Sequence, residues 1–226
     1  MPIEVYFGVV QFVVLLLSLS VHESAHAFSA DLLGDPTARY LGRVSLNPIV
    51  HADLFGTIIF PIIGFFSGFM IGWAKPVPVN LNRLRNPVRD HMLVAAAGPA
   101  SNLLIALGLF GLLMIIKVIS PDGARLVRDV AYWQYPQGGP AILAPLTFIA
   151  FQGIILNIIL AVFNLIPVAP LDGAAVLSGL LPRSLSSALD QLQPYGFMIL
   201  IALLYLGIPS KLYSPVLGFF VAFLRV

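Results

Sequence analysis

The sequence predicts an all-α polytopic membrane protein, and three observations lead there. Of its 226 residues, 59% are hydrophobic and only 10% charged, whereas soluble domains carry about 25% charged residues. Mean hydropathy is +0.96, and the apolar runs would supply about six transmembrane segments of roughly 20 residues each. The third observation is where the rare polar residues fall. The chain has two glutamates and four histidines. One glutamate and two histidines are packed into the pentapeptide His22-Glu23-Ser24-Ala25-His26, at the end of the uncharged run Val5 to Val21.

Composition narrows the classes further. There is no cysteine, so disulfides and thiolate metal sites are excluded, and any metal must be held by His, Asp or Glu. Met1 to Glu4 lacks Lys and Arg, so the basic start of a cleaved signal peptide is missing and the first apolar segment is expected to be retained. No basic block interleaved with aromatics suggests nucleic acid. One membrane-embedded domain over residues 1–226 is expected. A motif-bearing core covers about residues 5–181, and hydrophobic segments follow at 195–226.

The first span runs from about Val5 to Ala30, closed by Asp31 and the breaker Gly34-Asp35-Pro36. Residues 37–50 alternate in part and read as one or two short strands stopped by Asn47-Pro48. A second span is expected over about Leu54 to Trp73, with Pro61 as a kink and glycines at 64, 68 and 72 at helical spacing for close packing. Pro76 and Pro78 exclude a helix over Lys75 to Asn82, which leaves an edge strand or an extended loop near the site. Span 3 covers about His91 to Lys117, with Gly98-Pro99-Ala100-Ser101-Asn102 in its first third. Ser120 to Tyr135 reads as an aqueous loop.

From Val130 to Pro182 the only charged residue is Asp172. Span 4 takes about Ile142 to Leu165, then Asn164 to Gly173 unwinds around Pro167 and Pro170, and a short helix runs to about Leu181. Pro182 to Pro194 is a polar connection. Tyr195 to Ile208 and Leu212 to Leu224 form two short spans or one hairpin. Lys and Arg divide six against six between the two faces of this layout, so they set no orientation.

H-E-x-x-H on a helix places two imidazoles on one face, about 6 Å apart along the axis. Zinc in a hydrolytic site takes three protein ligands and keeps a fourth position for water, whose pKa it lowers. Glu23, roughly 100° round the helix from His22, can take and return the proton of that water. The bland alternative is a pair of core histidines with a Glu partner, at a cost of several kcal/mol for a carboxylate at membrane depth.

A third ligand is needed. The other acids lie in terminal or loop contexts or, for Asp53, at the mouth of span 2. Asp172 stands alone in an apolar region beside helix breakers, where irregular backbone at membrane depth must line a cavity or be buried in protein. It is the favoured third ligand. Capping the helix that follows is a second role, and the two are compatible.

Taken together, HESAH in a first span, GPASN in a middle span and NLIPVAPLDG later resemble the site-2 protease family of intramembrane zinc metalloproteases. The likeness covers about Val5 to Leu181 and is strongest to the short prokaryotic members without PDZ or CBS domains. It implies one Zn2+ bound by His22, His26 and Asp172, with Glu23 as catalytic base. It also implies an integral, multi-pass protein of a prokaryotic cell membrane, whose partners are the lipid bilayer and a transmembrane protein substrate. The family implicates an asparagine and a proline upstream of the aspartate, falling here on Asn164 and Pro170. Asn164 could bind the oxyanion or substrate backbone, or satisfy carbonyls where span 4 unwinds. Asn102 is expected to bridge helices, with a direct catalytic role as the alternative.

His51 could serve as an auxiliary or regulatory ligand, or as an interfacial His bonded to Asp53. Exposed edges at 37–50 or 75–82 could capture unwound substrate by β-addition. A divalent-metal transporter with an intramembrane HExxH site is the alternative function. Against it, the chain offers no second metal motif on another span and few acids for a relay.

Overall fold

The computed structural model describes residues 3–67 and 72–226. Its first helix, α1 (Ile3–Leu32), is 30 residues long, long enough at 1.5 Å per residue to cross about 30 Å of hydrocarbon. It ends where Gly34 takes φ +112°, a conformation that favours glycine. The fully buried Asp35 follows. One of its oxygens accepts the Thr37 N–H at 3.1 Å and the other accepts the Asn80 N–H at 2.6 Å.

The strands expected over 37–50 are two short helices instead, α2 (Thr37–Tyr40) and α3 (Pro48–His51). Local chemistry explains the second. Pro48 occupies its first turn, where a missing N–H is harmless, and Asn47 caps it by accepting from Ile49 N at 3.0 Å. No strand occurs among the described residues.

The expected second span is also different. A wide π-type turn over Leu54–Ile59 runs into α4 (Phe60–Ser67), capped by Asp53 on the N–H groups of Phe55 and Gly56. A straight helix from Leu54 to Trp73 would separate its ends by about 28 Å. Instead Trp73 N–H donates to Gly56 O at 3.0 Å and Thr57 Oγ1 donates to Trp73 O at 3.0 Å. The two ends of the segment therefore lie side by side, and a Cβ on Gly56 would strike the Trp73 indole at 2.4 Å. Gly68, expected to pack in this span, lies outside the described residues.

Residues 72–80 then run extended but form no ladder, because their inward-facing groups bond to scattered partners. Lys75 N–H donates to His51 O at 2.8 Å and Val77 N–H to Glu23 Oε2 at 3.0 Å. Helix α5 (Pro87–Ile119) carries Pro99 in its interior. The expected aqueous loop after it contains an amphipathic helix, α6 (Pro121–Ala131), started by Ser120 accepting from Gly123 N at 3.0 Å and burying Leu126, Val127 and Val130. Helix α7 (Leu143–Asn164) precedes an irregular stretch over 165–171, and α8 (Asp172–Leu180) follows.

The polar connection expected next is helical as α9 (Arg183–Leu192). Then come α10 (Gly196–Tyr205) and α11 (Ile208–Arg225), joined at Gly207 with φ +66°.

Helices α1, α5 and α7 pack on one another, α8 lies on α5, and α11 closes against α6 and α7. Small residues allow the close approach, as lipid offers no hydrophobic drive between helices. Ala106, Ala150 and Ala161 are buried, and a Cβ on Gly153 would meet Leu109 at 2.4 Å. Lys117 Nζ donates to the carbonyls of Phe223 and Leu224 at 3.0 and 3.1 Å, satisfying orphan acceptors at the end of α11.

Val9, Val13 and Leu17 form an exposed apolar row on α1, and Leu104, Leu107, Ile115 and Val118 are exposed on α5. Among the described residues, four helical stretches are long and apolar enough to cross a membrane: Val5–Leu32, Pro87–Ile119, Leu143–Asn164 and Arg183–Tyr205. Outward apolar rows on such helices are what a lipid-facing surface requires.

Candidate metal centre

His22 and His26 lie one turn apart on α1, so their rings share a face and both are buried at less than a tenth exposure. Their Nε2 atoms are 3.0 Å apart. The other ring nitrogens are committed elsewhere. His26 Nδ1 is 2.7 Å from Val94 O, and His22 Nδ1 is 2.6 Å from Asn102 Oδ1. Each partner oxygen accepts, so each Nδ1 carries the proton, and in a neutral ring each Nε2 then presents a lone pair.

Asp172 completes the cluster from the start of α8, far from the histidines in sequence. Its Oδ2 lies 3.2 Å from His22 Nε2 and its Oδ1 3.4 Å from His26 Nε2. The irregular stretch after α7 makes this approach feasible. With Pro167 and Pro170 unable to donate, the chain turns through short bonds (Ile166 N–H to Phe163 O, Val168 N–H to Ile166 O, Leu171 N–H to Val168 O) and restarts as a helix at Asp172. Gly173 is required there, since a Cβ would stand 2.3 Å from Leu165 O and 2.5 Å from Ile166 O. On the other side, a Cβ on Gly98 of α5 would stand 2.4 Å from His26 Nε2 and 2.7 Å from His22 Cε1. The glycine of GPASN is therefore the floor on which both rings rest.

Two imidazole lone pairs and a carboxylate aimed at one another repel unless a cation lies between them. Asp172 Oδ2 is moreover buried with no hydrogen-bond donor among the described residues. Nitrogen and oxygen donors from three side chains are the set that catalytic zinc takes, and these residues fit it. They form the one group of three or more His, Asp or Glu able to hold a metal among the described residues.

Glu23 is half-buried, with its Oε2 held by the Val77 N–H. His51, only 2% exposed, stands apart from the three. Its Nε2 is 2.7 Å from Ser45 O, a bond shared with Ser24 Oγ, which donates to the same carbonyl. Asp53, the partner anticipated for His51, caps the π-type turn instead. Asn164 Nδ2 donates to Leu160 O at 2.9 Å, one turn back in its own helix. Pro170 lies in the irregular stretch, following a cis peptide bond.

Asn102 is fully buried and donates from Nδ2 to Asn157 Oδ1 at 2.8 Å and to Ser18 O at 3.4 Å. Gly98 and Asn157 were not anticipated as site residues. A glycine within GPASN and an asparagine amid the apolar run Ile154–Val162 were the available signals.

Comparison with known proteins adds an independent line. The model described as Peptidase family M50 matches residues 10–207. "Putative zinc metalloprotease YwhC" of Bacillus subtilis (strain 168) is 33% identical over 211 residues, covering 91% of this chain and 84% of that protein. "Putative zinc metalloprotease Rip2" of Mycolicibacterium smegmatis (strain ATCC 700084 / mc(2)155) is 31% identical over 189 residues, and its counterpart in Mycobacterium tuberculosis (strain ATCC 25618 / H37Rv) is 27% identical. This chain spans 64% and 63% of those two proteins. No solved structure matches the chain.

Proposed function

The chain belongs to peptidase family M50, the site-2 proteases, and is a zinc metalloprotease of membranes; we propose that it cuts a membrane-spanning protein within the bilayer, using His22, His26 and Asp172 as zinc ligands and Glu23 as base. The observation that carries this reading is the pair of Nε2 atoms 3.0 Å apart facing the Asp172 carboxylate. When bound there, zinc supplies a Lewis acid that makes water nucleophilic at neutral pH.

The chain's own residues supply the rest. Glu23, next to His22 in sequence, takes a proton from the attacking water and returns it to the leaving amine. The Val77 N–H holds one of its oxygens and so orients the carboxylate. Burial of the two histidines keeps bulk water from competing for the metal. Asn164, at the end of α7, spends one amide hydrogen on Leu160 O, which leaves the other as a candidate donor to the carbonyl or oxyanion of the scissile bond. Pro170, which has no N–H to continue a helix, lies in the irregular stretch that precedes Asp172.

The test is zinc stoichiometry of the purified protein in detergent, for wild type and His22→Ala, His26→Ala, Asp172→Ala and Glu23→Gln. One zinc per chain is expected in wild type and Glu23→Gln, and its loss in the other three. Retention of zinc by all three ligand variants would remove the basis of the proposal.

A further inference from the structure

We infer that Asn157 of α7, which hydrogen-bonds to none of the three proposed metal ligands, is a positioning residue that sets the ring tautomer of His22 through Asn102. The inference rests on the reading of His22, His26 and Asp172 as the zinc site and deepens it.

A chain of hydrogen bonds begins at a group whose polarity cannot change. Gly153 O, a backbone carbonyl, only accepts, and Asn157 lies 2.8 Å from it. The atom that Asn157 turns toward Gly153 must therefore be its NH2. Its amide oxygen is then left to face Asn102, at 2.8 Å. Only a donor satisfies that oxygen, so Asn102 meets it with Nδ2 and turns Oδ1 toward His22 Nδ1, at 2.6 Å. An amide oxygen accepts, so His22 Nδ1 must carry the proton and Nε2 must be bare in the neutral ring. The polarity of one helix carbonyl thus reaches His22 through two side-chain amides.

His26 obtains the same tautomer in one step, from Val94 O at 2.7 Å. The two histidines therefore differ in what holds them, and only His22 depends on side chains that substitution can remove. Asn157 and Asn102 are 1% and 0% exposed, so no solvent replaces a lost partner, and buried amides at membrane depth are retained only when satisfied. Ser18 borders the chain twice. Its Oγ accepts from Asn157 at 2.9 Å and its backbone O accepts from Asn102 at 3.4 Å. The second bond is long and survives any side-chain change at Ser18.

The experiment measures zinc affinity by chelator competition on the detergent-purified full chain. It also records the 15N spectrum of labelled histidines in the apo protein, with His22 assigned by comparison with His22→Ala. Asn157→Leu is expected to bind zinc about 10- to 100-fold more weakly and to show His22 as a mixture of tautomers, with His26 unchanged. Asn157→Ser, whose hydroxyl can bond its own preceding turn but cannot reach Asn102, is expected to do the same if the leucine variant fails to accumulate.

Asn157→Asp, neutral at this depth, keeps an acceptor for Asn102 and a donor for Gly153, and is expected within about threefold of wild type. Ser18→Ala leaves the chain of polarity intact and is expected to match wild type. Wild-type affinity together with a single His22 tautomer in both Asn157→Leu and Asn157→Ser would overturn the inference, as would equal weakening in Ser18→Ala. Failure of wild type itself to lose zinc on His22→Ala would instead strike the metal-site reading, so the two failures are distinguishable.

Discussion

At the scale of single residues, the centre depends as much on what is missing as on what binds. Gly98 contributes no functional group, yet both imidazoles occupy the space a methyl would need. In an ordinary helix interior Gly→Ala stabilises by about 1 kcal/mol. Here Gly98→Ala is expected to lower zinc affinity at least about tenfold, the scale of disturbed ligand orientation, while circular dichroism shows the helix content preserved. Unchanged zinc binding would mean that the rings do not rest on α5.

The three residues of the candidate site are legible in the sequence because acids and histidines are so scarce in this chain. HESAH announces itself, and Asp172 is the one charge between Val130 and Pro182. Gly98 and Asn157 are not legible in this way. Their roles follow from the distances between α1, α5 and α7, and no one-dimensional pattern encodes those. His51 shows the same limit. Its neighbour in sequence, Asp53, looked like its partner, but Asp53 turns to the helix start and His51 to Ser45.

Among the elements, the extended segment 72–80 connects fold to chemistry. It is tied to α3 through His51 O, to α1 through Glu23 and to the end of α1 through Asp35. Asp35 is the anchor outside the membrane spans. Burial alone would raise its pKa, but bonds from Thr37 and Asn80 and the nearby Arg83 outweigh that and hold the carboxyl below its ordinary range. A pKa lowered by folding contributes stability above the unfolded value of about 3.9, and that contribution is lost as pH falls through the lower folded value.

Asp35→Asn sets an NH2 against donors and is expected to cost roughly 2 kcal/mol at pH 7, the scale of hydrogen bonds to a charged group. Thermal melts across pH check this, with the gap to wild type closing below about pH 4. A gap independent of pH would show that the charge of Asp35 is not what holds the segment.

Element types were legible where one pattern ran unopposed. Spans 1, 3 and 4 lie within a few residues of α1, α5 and α7, because long continuous hydropathy outweighs an isolated breaker such as Pro99 of α5. Residues 37–50 alternate in part like a strand, but the cap at Asn47 and Pro48 in the first turn start a helix there instead. The stretch 54–73 has a composition that suits a span, whereas the bond from Trp73 to Gly56 is tertiary information.

Over the whole molecule, the break between α7 and α8 reconciles a membrane fold with a candidate metal site assembled from α1 and the start of α8. Both motifs fall late in their apolar segments, and the irregular stretch 165–171, carrying Pro167 and Pro170, is what lets Asp172 reach the face of α1 that bears His22 and His26. That break was anticipated from the need for the motifs to meet. The helical character of α9 was not, since its charges and serines resemble a loop until they are seen as one face of an amphipathic helix.

The exposed apolar rows on α1 and α5 are what a lipid-facing surface requires, and the proposed substrate is one embedded in lipid. The most direct measurement is therefore mass-spectrometric mapping of the cut in a single-span protein reconstituted with this chain in lipid vesicles. The account predicts a cut inside the apolar segment with wild type and none with Glu23→Gln, which retains its zinc. Cuts confined to the water-exposed flanks, or cleavage undiminished in Glu23→Gln, would contradict it.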